Sequence, residues 1–119
     1  MRALVQRVSQ AAVFVEGEKI SSIKQGLLLF LGVVKGDSPA ALQRMVHKVA
    51  NLRIFSDQAG KMNLSVKDVA GEVLVVSQFT LAGELNKGFR PSFANAEEPL
   101  LAKEMYQQFC DALQEALAS

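Results

Sequence analysis

Val73-Leu74-Val75-Val76-Ser77-Gln78-Phe79-Thr80-Leu81 begins as a buried strand. Its first four residues are apolar and mostly β-branched, which suits a pleated, packed surface. The character then changes: Ser77, Gln78 and Thr80 bring three uncharged polar side chains into a run that should belong to the core. A buried polar group without a partner carries a substantial free-energy cost. This strand end therefore either lies at an edge or faces a ligand. A Ser/Thr-decorated exit into the following loop is the alternative, because turn chemistry accounts for most such residues.

The segment after it, Ala82 to Pro91, is polar and contains two glycines, a proline and the cations Lys87 and Arg90 flanking Phe89. Connections of this length are usually functional or mobile. Lys87 and Arg90 can hold a phosphate and Phe89 can stack on a base. A plain hydrophilic loop with its aromatic tucked into the core explains the pattern equally well. The last element is a helix: Glu97 and Glu98 suit its positive end and Pro99 its first turn. Leu101, Met105, Phe109, Leu113 and Leu117 repeat every four residues along one face. Cys110 lies in this helix as a packing residue.

Toward the N-terminus the chain is β-rich. Ala3 to Val8 forms a strand, and Ala12 to Val15 is a second part of it or a bulged continuation. Glu16-Gly17-Glu18 is a turn with Gly17 free to take positive φ, and Lys19 to Ile23 returns antiparallel. Leu27 to Val34 is apolar on both faces and therefore central, with Gly32 marking a close backbone approach. Ser38 and Pro39 open a helix whose stripe is Leu42, Met45, Val46, Val49 and Leu52. His47 falls off that stripe and is a solvated helix residue. Arg53-Ile54-Phe55 resumes strand, Ser56 to Gly60 turns, and residues 66–71 connect to the opening stretch. Strands, helix, strands, loop and helix in that order give an α+β domain, a mostly antiparallel or mixed sheet packed with two main helices.

The 119 residues suffice for one domain, 1–119, with a real core. Half the residues are hydrophobic and the net charge is +1, which excludes nucleic-acid binding through bulk charge but leaves room for a small local contact. No apolar run is long enough to span a membrane, and the N-terminus lacks a signal-peptide core. With one cysteine the chain has no internal disulfide, consistent with a cytosolic setting. One histidine and one cysteine are a poor basis for a zinc site, so no cofactor is expected. A Ser–His–Asp triad would need His47, and Thr80 or Ser77 has no obvious base nearby. Catalysis, if present, rests on backbone donors, positioning and a group on the substrate itself.

Ser77-Gln78-Phe79-Thr80-Leu81, with Gly60-Lys61-Met62-Asn63-Leu64-Ser65 before it and Lys87-Gly88-Phe89-Arg90-Pro91-Ser92-Phe93 after it, resembles the D-aminoacyl-tRNA deacylase family. Met1 to Val8 and Leu31-Gly32-Val33 are similar to it as well, so the resemblance runs from the first residue to the final helix. It implies a cytoplasmic homodimer that hydrolyses the ester between a D-amino acid and tRNA, a proofreading step in translation. Glycine mischarged on tRNA for alanine is a further implied substrate. No metal is implied, and the attack is by a threonine or through the RNA's own 2′-hydroxyl. The catalytic residues implied are Ser77, Gln78, Phe79 and Thr80. In this reading the Gln78 and Phe79 backbone N–H groups meet the carbonyl oxygen, Thr80 positions the amino acid or attacking group, and Ser77 shapes the strand end. Met62, Lys87, Phe89, Arg90 and Pro91 are the implied contacts to the tRNA end.

Family members continue past the final helix into strands bearing an Asn-x-Gly-Pro motif, whose cis Gly–Pro peptide enters the partner's pocket and excludes L-amino acids. The three prolines here, Pro39, Pro91 and Pro99, follow Ser38, Arg90 and Glu98. The expectation is a shortened chain that dimerises weakly and either fails to turn over or prefers D over L less strongly. A tRNA-end-binding module or fragment without turnover is the competing expectation. Each phosphate contact removed by Lys87→Ala or Arg90→Ala is expected to flatten the salt dependence of tRNA affinity by about one unit of slope. Affinity measured against salt checks this, and unchanged slopes in both variants would place the RNA surface elsewhere.

Overall fold

The computed structural model describes residues 1–86 and 88–119. Strand β1 (Arg2–Val8) is followed by β2 (Ala11–Val15), β3 (Glu18–Ile23) and β4 (Gly26–Gly32), then helix α1 (Pro39–Asn51). Short strands β5 (Phe55–Ser56) and β6 (Met62–Leu64) lead to β7 (Glu72–Ser77), a 3₁₀ turn (Phe79–Ala82) and helix α2 (Pro99–Ala118). This is the mixed α+β architecture expected from the element order.

The all-apolar run does become the central strand: the main sheet has the order β1-β4-β7. β1 pairs antiparallel with β4, Arg2 opposite Gly32 and Val8 opposite Gly26. β7 pairs parallel with β4, Leu27 opposite Val73 and Leu31 opposite Ser77. Parallel strands need a long crossover, and α1 with the β5–β6 hairpin supplies it. Period-two alternation sends Leu27, Leu29 and Leu31 into the core against Leu42, Val46 and Val49 of α1 and Phe109 and Leu113 of α2. Tyr106 ties α2 to the sheet, its hydroxyl donating to the Val75 carbonyl at 2.8 Å.

Local chemistry explains the element ends. Ser38 caps α1, its Oγ accepting from the Ala41 amide at 3.1 Å with Pro39 in the first turn. Glu98 caps α2, accepting from Leu100 N–H at 3.3 Å. Asp37 accepts from the N-terminal ammonium at 2.6 Å and from Val34 N–H at 2.8 Å, pinning the start of β1 beside the end of β4. Ser65 and Asp68 exchange backbone-to-side-chain bonds at 2.9 and 3.1 Å, and the Ser65 amide holds the Asp68 carboxyl below its ordinary range.

Four expectations change. Ala11–Val15 is a strand of a separate two-stranded sheet with β3, rather than an extension of β1, because Glu16 and Gly17 both take positive φ and close a tight hairpin. The central strand stops at Gly32, and Val34 instead bridges Ala96. Strand resumes only at Phe55, not Arg53. The helical stripe of α2 is buried at Phe109 and Leu113, whereas Leu101 is 48% exposed, since the buried core meets α2 in its later turns. His47 is exposed, and Asn51 Nδ2 donates to its carbonyl at 2.8 Å.

Phe109 has no exposed surface and packs where α2, α1 and the sheet meet. Phe109→Ala is expected to lower stability by about 3–5 kcal/mol in urea denaturation. A loss below about 1 kcal/mol would place the core elsewhere.

Candidate active site

The polar residues that break the opening strand sit where the sheet ends. Ser77 is the last residue of β7 and is exposed. Gln78 then adds one more sheet bond, its N–H donating to the Leu31 carbonyl at 2.8 Å. From there the backbone tightens into the 3₁₀ turn, held by Leu81 N–H to the Gln78 carbonyl at 3.3 Å and Gly83 N–H to the Thr80 carbonyl at 3.0 Å. The first amides of any helical turn have no partner within it. Here these are Phe79 and Thr80, and neither finds an acceptor among the described residues.

That geometry corrects one expected role. The Gln78 backbone is not a free donor, because the parallel β4–β7 ladder takes its N–H. The adjacent pair of unpaired donors is Phe79 and Thr80. The Gln78 side chain has a different partner: its Nε2 donates to Thr80 Oγ1. Thr80 Oγ1 is the acceptor in this contact, and among the described residues no carboxylate or imidazole hydrogen-bonds it.

Gly32 allows the turn to lie this close. A Cβ there would stand 2.9 Å from Leu81 Cβ and 3.1 Å from the Gln78 carbonyl oxygen. The sequence marked this close approach without showing what approached.

A groove of about 1040 Å³ opens beside the turn, with Ser77, Phe79, Phe93, Lys35, Lys103 and Tyr106 among its lining residues. Phe79 is 64% exposed and meets Phe93 edge-on, with ring centroids 5.3 Å apart. The N-terminal part of α2 and the two residues before it form a wall, so Glu97, Glu98 and Glu104 share the groove lining with the two lysines. Burial pushes the Tyr106 hydroxyl above its ordinary pKa, with the Cys110 thiol beside it adding to the shift. Tyr106 therefore stays a donor at neutral pH. Burial also pushes the Cys110 thiol up, which keeps it protonated and unreactive.

Of the residues expected from sequence, Ser77 and Phe79 line this groove, and Gln78 and Thr80 share their turn. Met62 is exposed on β6, away from the groove lining, and Arg90 and Pro91 are likewise exposed and outside it. Phe89 is fully exposed, so it is not tucked into the core. Lys87 lies outside the described residues. Lys35, Lys103 and Tyr106 were not singled out from sequence, because isolated cations and a helical tyrosine carry no spacing signal.

The sequence model of the family described as D-Tyr-tRNA(Tyr) deacylase matches residues 4–119. A relative from Magnetococcus marinus, named D-aminoacyl-tRNA deacylase, is 60% identical over 113 residues, covering 95% of this chain and 75% of the relative. One of the same name from Aquifex aeolicus is 52% identical over 116 residues, covering 98% of this chain and 78% of the relative. Among solved structures, one described as c-Myc DNA Unwinding Element Binding Protein aligns with a TM-score of 0.92 at 42% identity, over 97% of this chain and 77% of that one. A probable eukaryotic D-amino acid tRNA deacylase shares the fold, with a TM-score of 0.82 at 18% identity over 98% of this chain and 68% of that one.

Gly32→Ala is expected to push the turn outward, lowering stability by about 1–3 kcal/mol. Urea unfolding and the Phe79 and Thr80 amide resonances together check it. Unmoved resonances would mean that Gly32 does not set the turn.

Proposed function

The chain belongs to the D-aminoacyl-tRNA deacylase family, and from that premise we propose how its groove carries out the hydrolysis. It is a hydrolase that cleaves the ester between a D-amino acid and tRNA, a proofreading activity. In our reading the terminal aminoacyl-adenosine enters the groove beside Phe79 and Phe93, and the ester carbonyl turns its oxygen toward the Phe79 and Thr80 amides. The observation that carries this reading is that pair of adjacent unpaired donors at the end of β7. As water adds to the carbonyl carbon, negative charge grows on that oxygen. One such donor typically contributes about 3–4 kcal/mol of transition-state stabilisation. The carbon–oxygen bond to the terminal ribose then breaks, and the ribose oxygen takes up the proton released by the water.

Thr80 acts as a positioning group and not as a nucleophile. Its hydroxyl accepts from Gln78 and, among the described residues, meets no base to remove its proton, which favours attack assisted by the ribose 2′-hydroxyl. Ser77 shapes the mouth of the groove. Lys35 and Lys103 offer charge to a phosphate of the acceptor end. Met62, Phe89, Arg90 and Pro91 serve the tRNA beyond the groove, where their exposure suits a large ligand. Glycyl-tRNA belongs to the same substrate range, as glycine asks for no side-chain pocket. A homodimer working in the cytoplasm completes the proposal; support for self-association comes from half-exposed Leu4 beside Phe30 on the sheet face opposite the helices. Among the described residues no helix is long and apolar enough to cross a membrane.

The test is hydrolysis of D-tyrosyl-tRNA. Thr80→Ala is expected to keep measurable turnover, while a substrate lacking the terminal 2′-hydroxyl loses about tenfold or more. Complete loss in Thr80→Ala with the deoxy substrate unaffected would establish a covalent threonine route instead.

A further inference from the structure

We propose that Arg2 is a positioning residue for the hydrolysis, its guanidinium fixing the turn that presents the Phe79 and Thr80 amides. The proposal rests on the reading that these amides receive the developing oxyanion. Arg2 opens β1 directly opposite Gly32, at the end of the sheet where the turn lies. Its Nη1 donates to the Leu81 carbonyl at 3.0 Å and the Gly83 carbonyl at 3.2 Å, and its Nη2 meets Glu84 Oε1 at 3.2 Å. One planar fork thus ties together three groups about eighty residues away in sequence. A lysine, with a single point charge, cannot hold the same set of directions.

The turn needs such outside support. A four-residue 3₁₀ segment has poor hydrogen-bond geometry and little stability of its own. Gly32 admits it from the sheet side, and Arg2 binds the carbonyls at its far end. Glu84 extends the clamp by accepting from Asn95 Nδ2 at 2.6 Å and from Asn86 Nδ2 at 3.1 Å, while its backbone exchanges two 2.8 Å bonds with Ser92. The Asn95 carbonyl in turn accepts from the Lys35 amide at 2.8 Å. One network therefore joins the turn that carries Phe79 to the Lys35 backbone, and both residues line the groove.

Magnitude separates this role from ordinary scaffolding. The Arg2 side chain is 43% exposed, and exposed ion pairs contribute little to global stability. Misplacing a catalytic donor by about 1 Å, in contrast, can cost about a hundredfold in rate. Loss of Arg2 should hence leave the fold standing and act on the turn.

The experiment compares Arg2→Ala, Arg2→Lys and Val46→Ala with the unsubstituted chain. Val46 is buried on the core face of α1, in a hydrophobic cluster that contains no residue of this network. Arg2→Ala is expected to lower kcat on D-tyrosyl-tRNA by about tenfold to a hundredfold with KM changed less than about threefold. Arg2→Lys or added guanidinium should recover part of the loss. Val46→Ala should lower the melting temperature yet keep kcat per folded molecule. Hydrogen exchange at the Leu81 and Gly83 amides, both bonded inside the turn, should speed up about tenfold or more in Arg2→Ala. Unchanged exchange there, or a kcat loss that only tracks unfolding as in Val46→Ala, overturns the proposal. Should the unsubstituted chain leave D-tyrosyl-tRNA intact, the hydrolysis reading fails by itself, and the exchange rates still decide whether Arg2 holds the turn.

Discussion

The bond from the Gln78 amide to the Leu31 carbonyl is the last rung of the parallel β4–β7 ladder. One residue further on, the chain has left the sheet, and the next two amides have no rung to join. A backbone that leaves a ladder abruptly must satisfy its donors by bending into another hydrogen-bonded form or by meeting a ligand. Here the 3₁₀ turn uses the later amides, at Leu81 and Gly83, and in the proposed reading the earlier ones are left for the substrate. The register of β7 against β4 therefore decides which amides are available. A one-residue slip would exchange spent donors for free ones and would turn Ser77 to the opposite face.

The surroundings of that point come from parts of the chain far apart in sequence. β4 contributes Gly32, whose missing side chain is the space the turn occupies. β1 contributes Arg2, and the loop after the turn contributes Glu84 and Phe93. α2 supplies a wall from its first turns, where Leu101 is half exposed, while Phe109 and Leu113 anchor its later turns in the core. The turns that the core leaves uncovered are the ones that line the groove. Tyr106 stands where these roles meet, in the groove lining and bonded to the edge of β7.

In the proposed reading little of the chemistry depends on a titrating side chain. The thiol of Cys110 and the hydroxyl of Tyr106 are both held protonated by burial, and His47 is exposed on α1, outside the groove lining. What remains is a preorganised backbone, which exerts its field without needing a proton removed first. Such a site places its demands on distant geometry: a glycine, a guanidinium and a strand register matter as much as the residues facing the substrate.

Short-range preferences along the chain specify most of the elements and which strand is central. The continuous apolar run of Leu27 to Leu31 could only be central, Ser38-Pro39 could only open a helix, and Glu16-Gly17 closed a hairpin through backbone preferences that act within a few residues. The sequence also marked residues 77–80 as the place where polarity enters the core, and their resemblance to the deacylases supplied the chemistry. Tertiary structure alone decided which amides were spent. The Gln78 and Phe79 donors look alike along the chain, and only the pairing of β7 with β4 consumes the first and spares the second. The same holds for Lys35, Lys103 and Arg2, whose roles arise from what lies opposite them across the fold. Local sequence fixes dihedral preferences and periodicity. A hydrogen bond between residues nearly fifty or eighty positions apart is settled only when the sheet closes.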